Sequence, residues 1–501
     1  MSSVTVNSGG DIKRKTVSGF FWRLAERIGA QAVTFVVTVV LARFLMPEDY
    51  GIIAIVNVFV AVADVLVTSG LSTSLIQGKD ACDADFSSIF YVSLLMASVL
   101  YTVLFLCAPL VSRLYDNALL TPVLRVMGIK FFISAVNSVQ QAFVARMMIF
   151  RKFFFATLLG TLVSAVVGIA LAVRGFGVWA LVAQTLTNPL IDTVVLFITV
   201  RWHPRWLLSI GRLRTLVRYG WKLTATSLIG TVFEELRALV IGIRYSYADL
   251  AFYNRGYSLP ALVTNNIVAT LDSVLFPALS AFQDDADRLK AAVRRSISLG
   301  SYVLSPLLIG LAVVADKVVL LLYGDRWLPS VPFVRLLCLA NLPAIMSSIN
   351  VQAIKASGRS GIVLALEFIK KPVFLAMVLV TSLIRPVAMA AGAVVYGLLS
   401  CLINSAPNLW ILRYSFLEMA SDLFAGIALS AVMGGAVWLV GFVPLNALAV
   451  LGMQVVAGGL VYVLLSMLFR VRAFFEIAAL VRTRLHARKE VHDERCEEIF
   501  N

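Results

Sequence analysis

LFAGIALSAVMGGAVWLVGFVPL, residues Leu423–Leu445, carries no charged side chain. A helix of about 20 apolar residues, rising 1.5 Å per residue, matches a bilayer core of roughly 30 Å. A second block, QAVTFVVTVVLA at Gln31–Ala42, has the same character, and such blocks recur along the chain with short polar breaks. The 501 residues are 60% hydrophobic and only 14% charged, with a mean hydropathy of +0.90. A water-soluble chain of this length needs far more charge on its surface. The sequence therefore predicts an all-α, polytopic membrane protein.

Windows of ~20 apolar residues fall at 17–45, 51–72, 85–111, 118–145, 152–173, 177–200, 216–243, 250–279, 293–322, 329–354, 360–384, 386–412, 419–442 and 446–469, about 14 spans. Every connection between them is short. The net charge of +15 does not form a basic patch with interleaved aromatics, so nucleic-acid binding is excluded. Basic residues instead cluster at alternate span ends: Arg146, Arg151 and Lys152; Arg201, Arg205, Arg212, Arg214 and Arg218; Arg288, Lys290, Arg294 and Arg295; Lys355 and Arg359; Arg413. The opposite ends hold single charges such as Arg43, Arg113, Arg174 and Lys317. The positive-inside rule then puts both termini in the cytoplasm and the chain in the inner membrane. Arg23, Glu26 and Arg27 inside the first apolar stretch argue that it is a retained span and not a signal peptide.

Weak similarity links the halves. Leu124-Arg125-Val126 matches Val334-Arg335-Leu336, and Gln141-Ala142 matches Gln352-Ala353, each about 210 positions on, as an internal repeat would give. The expected organisation is a cytoplasmic segment at 1–16, an N-lobe of six spans at 17–200 and a basic linker at 201–215. A C-lobe of six spans at 216–413, two further helices at 414–469 and a cytoplasmic tail at 470–501 complete it.

Ionisable residues within spans cost ~2.5 kcal/mol or more against lipid, so they normally face a cavity or a partner. The first span has Arg23, Glu26 and Arg27 on one helical face, the seventh Glu234, Glu235 and Arg237, and the eleventh Glu367, Lys370 and Lys371. Lys355 ends the tenth, and Asp64, Asp192 and Asp272 stand alone. Local pairing, for example of Glu367 with Lys370 or Lys371, is one reading. The other is a water-filled cationic cavity in which Arg23, Arg27, Arg237, Lys355 and Lys370 bind an anionic head group such as pyrophosphate. Glu26, Asp64, Glu235, Asp272 and Glu367 are candidates for coupling transport to a proton or cation. The five cysteines show no metal or disulfide spacing, and no cofactor is expected.

Several motifs carry a family resemblance. They are Leu41-Ala42-Arg43 leading to Pro47-Glu48-Asp49-Tyr50-Gly51, and Gly175-Phe176-Gly177-Val178-Trp179 running on to Gln184. Phe252-Tyr253-Asn254 and Phe276-Pro277-Ala278-Leu279-Ser280 follow, then Tyr323-Gly324-Asp325-Arg326-Trp327 and Asn350-Val351-Gln352-Ala353. In this order and at these places the chain resembles the polysaccharide transporter family of the multidrug, oligosaccharidyl-lipid and polysaccharide flippase superfamily, close to the colanic-acid and teichuronic-acid exporters. The resemblance implies about 14 helices in two pseudo-symmetric six-helix lobes plus two C-terminal helices, working by alternating access. It implies a substrate too: an oligosaccharide repeat unit on polyprenyl pyrophosphate, exported for cell-surface polysaccharide. Where the family has Asn-x-Asp in the seventh span, this chain has Glu235-Leu236-Arg237, which puts any coupling role there in doubt. A multidrug or cation antiporter of the same superfamily is the alternative. A membrane polymerase or ligase is a weaker one, because no acid–base constellation converges and the outer loops are short.

Overall fold

The computed structural model describes residues 9–77, 82–147, 149–200, 202–207, 209–283 and 285–479, and every regular element among them is helical. In chain order these are α1 (Gly9–Phe44), α2 (Pro47–Thr68), α3 (Leu71–Gln77), α4 (Asp83–Leu114), α5 (Leu120–Met127), α6 (Lys130–Arg146), α7 (Phe150–Val173), α8 (Val178–Thr199), α9 (Ile210–Arg244) and α10 (Tyr247–Ser280). There follow α11 (Ala286–Val313), α12 (Ala315–Tyr323), α13 (Val331–Asn341), α14 (Ala344–Ala356), α15 (Ser360–Thr381), α16 (Pro386–Ser405), α17 (Asn408–Ile411), α18 (Phe416–Val440) and α19 (Ala447–Leu468). Among the described residues, 11 helical stretches are long and apolar enough to cross a membrane, and the chain is a multi-pass membrane protein. Three further helices are long, α1, α9 and α15, with 36, 35 and 22 residues. These are the first, seventh and eleventh expected spans, the ones that carry ionisable clusters.

The chain divides into two compact units between Ala251 and Phe252. In the first, α7 packs on α8 and α1, α6 lies against α4 and α8, and α9 packs on α2, α3 and α4. The sequence reading groups α9 with the later helices. An aromatic core of Phe86, Phe90, Phe143 and Trp202 closes one end of this unit. In the second unit, α11 packs on α18, α13 and α14, α16 on α13 and α15, and α19 on α18. Three of its buried hydroxyls are linked across helices: Tyr302 Oη lies 2.8 Å from Ser466 Oγ, and Tyr462 Oη donates to the Tyr302 carbonyl at 2.7 Å.

One end of the second unit is clamped by charge. Arg294 reaches Asp422 with Nε at 2.7 Å and Nη2 at 3.0 Å, and Lys290 Nζ reaches Glu418 at 2.9 Å. The Tyr414 hydroxyl donates to Asp422 at 2.8 Å, and Arg295 meets Glu476 at 2.7 Å. Tyr414 lies between α17 and α18. Burial first, then its bond to Asp422, push its hydroxyl well above the usual tyrosine range.

Two corners of the backbone share a pattern at positions the expected internal repeat would relate. At the α1–α2 corner the Leu45 N–H donates to the Leu41 carbonyl at 2.9 Å, and the Met46 N–H donates to Asp49 at 3.1 Å. At the α9–α10 corner the Tyr245 N–H donates to the Ile241 carbonyl at 2.9 Å, and the Ser246 N–H donates to Asp249 at 3.2 Å. In both, an acid one turn into the new helix closes onto the residue before it. Two expected spans are broken in their middle, 118–145 into α5 and α6 and 329–354 into α13 and α14. The matched pairs fall on corresponding pieces, Arg125 on α5 and Arg335 on α13, Gln141 on α6 and Gln352 on α14. Pro343, with no N–H to donate, starts α14. At Gly128, between α5 and α6, the Tyr101 ring sits where a Cβ would be 2.8 Å away.

Candidate functional site

Ionisable side chains on membrane helices mark where polar chemistry is possible, and each unit gathers its own. In the first unit, the break between α5 and α6 places Lys130 at the first residue of α6, where its ammonium meets Asp64 of α2 at 2.6 Å. Both side chains are mostly buried, and the second oxygen of Asp64 has no hydrogen-bond partner among the described residues. Lys130 lines a cavity of about 320 Å³ with Thr34 and Val37 of α1, Thr161 and Ser164 of α7, and Gln184, Thr185, Asn188 and Pro189 of α8. Lys130 lies within the expected span 118–145 and is missing from the candidates read from sequence. A lysine in an apolar stretch was the available signal.

Two turns along α8 from Gln184 lies Asp192, buried, with only neutral partners among the described residues. Asn137 Nδ2 donates to it at 2.8 Å, Gln141 Nε2 at 3.3 Å and Thr157 Oγ1 at 3.5 Å. The Asn137 side-chain oxygen Oδ1 is also buried and has no hydrogen-bond partner among the described residues. Gln184, Asn188 and Asp192 repeat every four residues, so α8 presents one polar stripe to α7. Glycines let α7 come close: a Cβ on Gly160 would lie 2.8 Å from the Asn188 carbonyl oxygen, and one on Gly168 would lie 3.0 Å from Gln184 Cβ. On α1 Glu26 is half-buried, while the side chains of Arg23 and Arg27 lie outside the described residues. On α9 Glu235 and Arg237 are half-buried and Glu234 is exposed.

In the second unit, Lys355 of α14 and Glu367 of α15 line a cavity of about 480 Å³ together with Phe276, Ser360, Val363 and Leu364. Lys370 is buried and ion-paired with Glu367 across one turn of α15. One turn before Phe276 on α10, Asp272 accepts a hydrogen bond of 2.5 Å from Ser348 of α14. The structure thus puts Lys355 and Glu367 on one cavity, with Lys370 paired to Glu367 and Asp272 one turn along α10 from the lining Phe276. Asp64 stands apart, in the first unit with Lys130.

The motifs behind the family resemblance do structural work. Gly177 has φ 53° and ψ −129°, and a Cβ there would be 3.1 Å from Asp49 Oδ1. Asp49 also accepts from the Val178 N–H, so the Pro47–Gly51 and Gly175–Trp179 motifs lock together. The Glu48-Asp49 pair sits in the first turn of α2, a helix start. In the second unit, Arg255 stacks over Tyr323 at 4.9 Å and Trp327 at 5.0 Å, joining the motif after Phe252 to the motif after Tyr323. Gly256 touches Phe333, where a Cβ would come within 2.4 Å.

A family model described as "Polysaccharide biosynthesis protein" matches residues 40–332, more than half of the chain. The chain belongs to this family. Among similar proteins, the succinoglycan biosynthesis transport protein ExoT of Rhizobium meliloti (strain 1021) is 24% identical over 422 residues, 82% of each chain. The teichuronic acid biosynthesis protein TuaB of Bacillus subtilis (strain 168) is 20% identical over 467 residues, 91% of this chain and 95% of its own. Among solved structures, a lipid II flippase MurJ in an inward closed conformation superposes with a TM-score of 0.72 at 13% identity, covering 90% of this chain and 99% of its own. That likeness establishes a shared fold between this polysaccharide biosynthesis protein and MurJ.

Proposed function

We propose that the protein moves polyprenyl-pyrophosphate-linked oligosaccharide repeat units across the inner membrane by alternating access, for cell-surface polysaccharide biosynthesis. The observation that carries this reading is the family match over residues 40–332, together with a similar transport protein aligned over 82% of both chains. A sugar head group is too polar to cross hydrocarbon unaided, so its transfer requires a protein with polar surface at membrane depth. The paired charges and cavities of both units provide such surface.

The distribution of Lys and Arg supports cytoplasmic termini in an inner membrane. The head-group contacts are assigned to Arg23, Arg27, Arg237, Lys355 and Lys370. Of these, Lys355 lines a cavity and Lys370 touches the acid that lines it. Coupling to a proton or cation is assigned among Glu26, Asp64, Glu235, Asp272 and Glu367. Asp192 joins them as a buried carboxyl whose partners among the described residues are all neutral.

The test is deletion of the gene, followed by analysis of lipid-linked oligosaccharides and surface polysaccharide. Complete repeat units on polyprenyl pyrophosphate should accumulate while the surface polymer disappears, and Arg23→Ala/Arg27→Ala should fail to rescue. Unpolymerised repeat units outside the cell would point to a polymerase. Unchanged polysaccharide with new drug sensitivity would point to an antiporter.

A further inference from the structure

The cavity among α1, α6, α7 and α8 has a chemistry different from a head-group site. The one cation among its described lining residues, Lys130, is already neutralised by Asp64 at 2.6 Å, so it offers no free charge to a pyrophosphate. Nor is it suited to a lipophilic guest, because six of its lining residues, Thr34, Thr161, Ser164, Gln184, Thr185 and Asn188, carry hydroxyl or amide groups. Thr161 and Ser164 spend their hydroxyl protons on the α7 backbone, donating to the Thr157 carbonyl at 2.7 Å and the Thr161 carbonyl at 3.0 Å. What their oxygens have left to offer is acceptor capacity. Pro189 has no N–H to give the carbonyl of Thr185, which adds a backbone acceptor at the same depth. The side-chain amides of Gln184 and Asn188 make no hydrogen bond among the described residues, so both bring donors as well as acceptors. The volume, about 320 Å³, sits at the lower end of the roughly 300–1,000 Å³ usual for small-molecule sites.

An acceptor-rich, charge-balanced pocket with a few amide donors is complementary to a saccharide, whose hydroxyls each donate and accept. We propose that this cavity is a saccharide subsite: it receives a sugar of the repeat unit, while the phosphate-bearing end is held elsewhere. The inference rests on the flippase reading and assigns the sugar to the first unit. The close packing at Gly160 and Gly168 holds the stripe of α8 against α7 and keeps the amides in place.

The test uses the full chain in nanodiscs and titration calorimetry with two probes. One is the set of oligosaccharide fragments released by mild acid from the host's own surface polysaccharide; the other is inorganic pyrophosphate. The fragments should bind the wild type. Gln184→Met and Asn188→Leu should weaken them on the order of tenfold for each hydrogen bond lost and leave pyrophosphate binding unchanged. Thr34→Leu, at an exposed position on the cavity wall, should weaken the fragments with no change in melting temperature, and it decides the matter if the half-buried variants fail to fold. Fragments that bind Thr34→Leu and Asn188→Leu as tightly as wild type overturn the subsite. So do fragments that do not bind wild type although deletion still makes lipid-linked repeat units accumulate, an outcome that leaves the flippase reading intact. Deletion that leaves the surface polymer unchanged overturns both.

Discussion

At the scale of single residues, Gly177 and Asp49 are the pair whose removal should be felt most in stability. Gly177 occupies a backbone region that an L side chain enters at a cost of roughly 1–3 kcal/mol, and its neighbour Asp49 closes the start of α2. Gly177→Ala should therefore lower the melting midpoint of the purified chain, by the equivalent of ~2 kcal/mol. Asp49→Ala should lower it by ~1 kcal/mol, and the double variant by less than the sum, because the two share one contact. An additive result would show that the motifs do not act through each other. The same scale shows how much of the site the sequence could reveal. The Glu367–Lys370 pair follows from a spacing of three along a helix. Lys130 is visible as a charge in an apolar stretch, but its partner Asp64 comes from α2, a remote segment. The donors around Asp192 come from α6 and α7, and no local pattern in α8 announces them.

Whole helices were more legible than their interiors. Bilayer thickness fixes how long an apolar run must be, so the expected span 152–173 is met by α7 at Phe150–Val173, and 177–200 by α8 at Val178–Thr199. The breaks at Gly128 and Pro343 escape a reading averaged over a whole span, since hydropathy is nearly unchanged by one lost hydrogen bond. The clamp between α11 and α18 is another property of paired elements. Asp422 neutralises Arg294 and receives the Tyr414 hydroxyl, so Asp422→Ala leaves a half-buried guanidinium without its bidentate partner. A loss of about 1–3 kcal/mol is expected, less than for a fully buried pair because Arg294 is partly exposed. Arg294→Ala/Asp422→Ala should recover part of that loss in thermal melts of the same preparation. If the double variant melts as low as Asp422→Ala, the clamp is not what ties α18 to α11.

At the scale of the molecule, the charge asymmetry of the loops makes a prediction about sidedness. Reporters that fluoresce only in the cytoplasm should light up when fused after Arg151 or Arg413 and stay dark after Arg174 or Gly324. Fluorescence after Gly324 would reverse the second unit. One corner recurs at Asp49 and Asp249 and one broken helix at Gly128 and Pro343, as the internal repeat read from the sequence would require. The three charged helices also bear on how such a chain is made. Each charge near the middle of a helix raises the cost of handing that helix from the translocon to lipid by roughly 2.5–3.5 kcal/mol, and α15 carries Glu367, Lys370 and Lys371. Its neighbours α14 and α16 lie immediately before and after it in the chain. The expected route is for α15 to enter the bilayer together with α16 as a hairpin, and crosslinking of ribosome-arrested chains to the translocon would check it. The order in which the ribosome delivers the helices would then be part of the folding information.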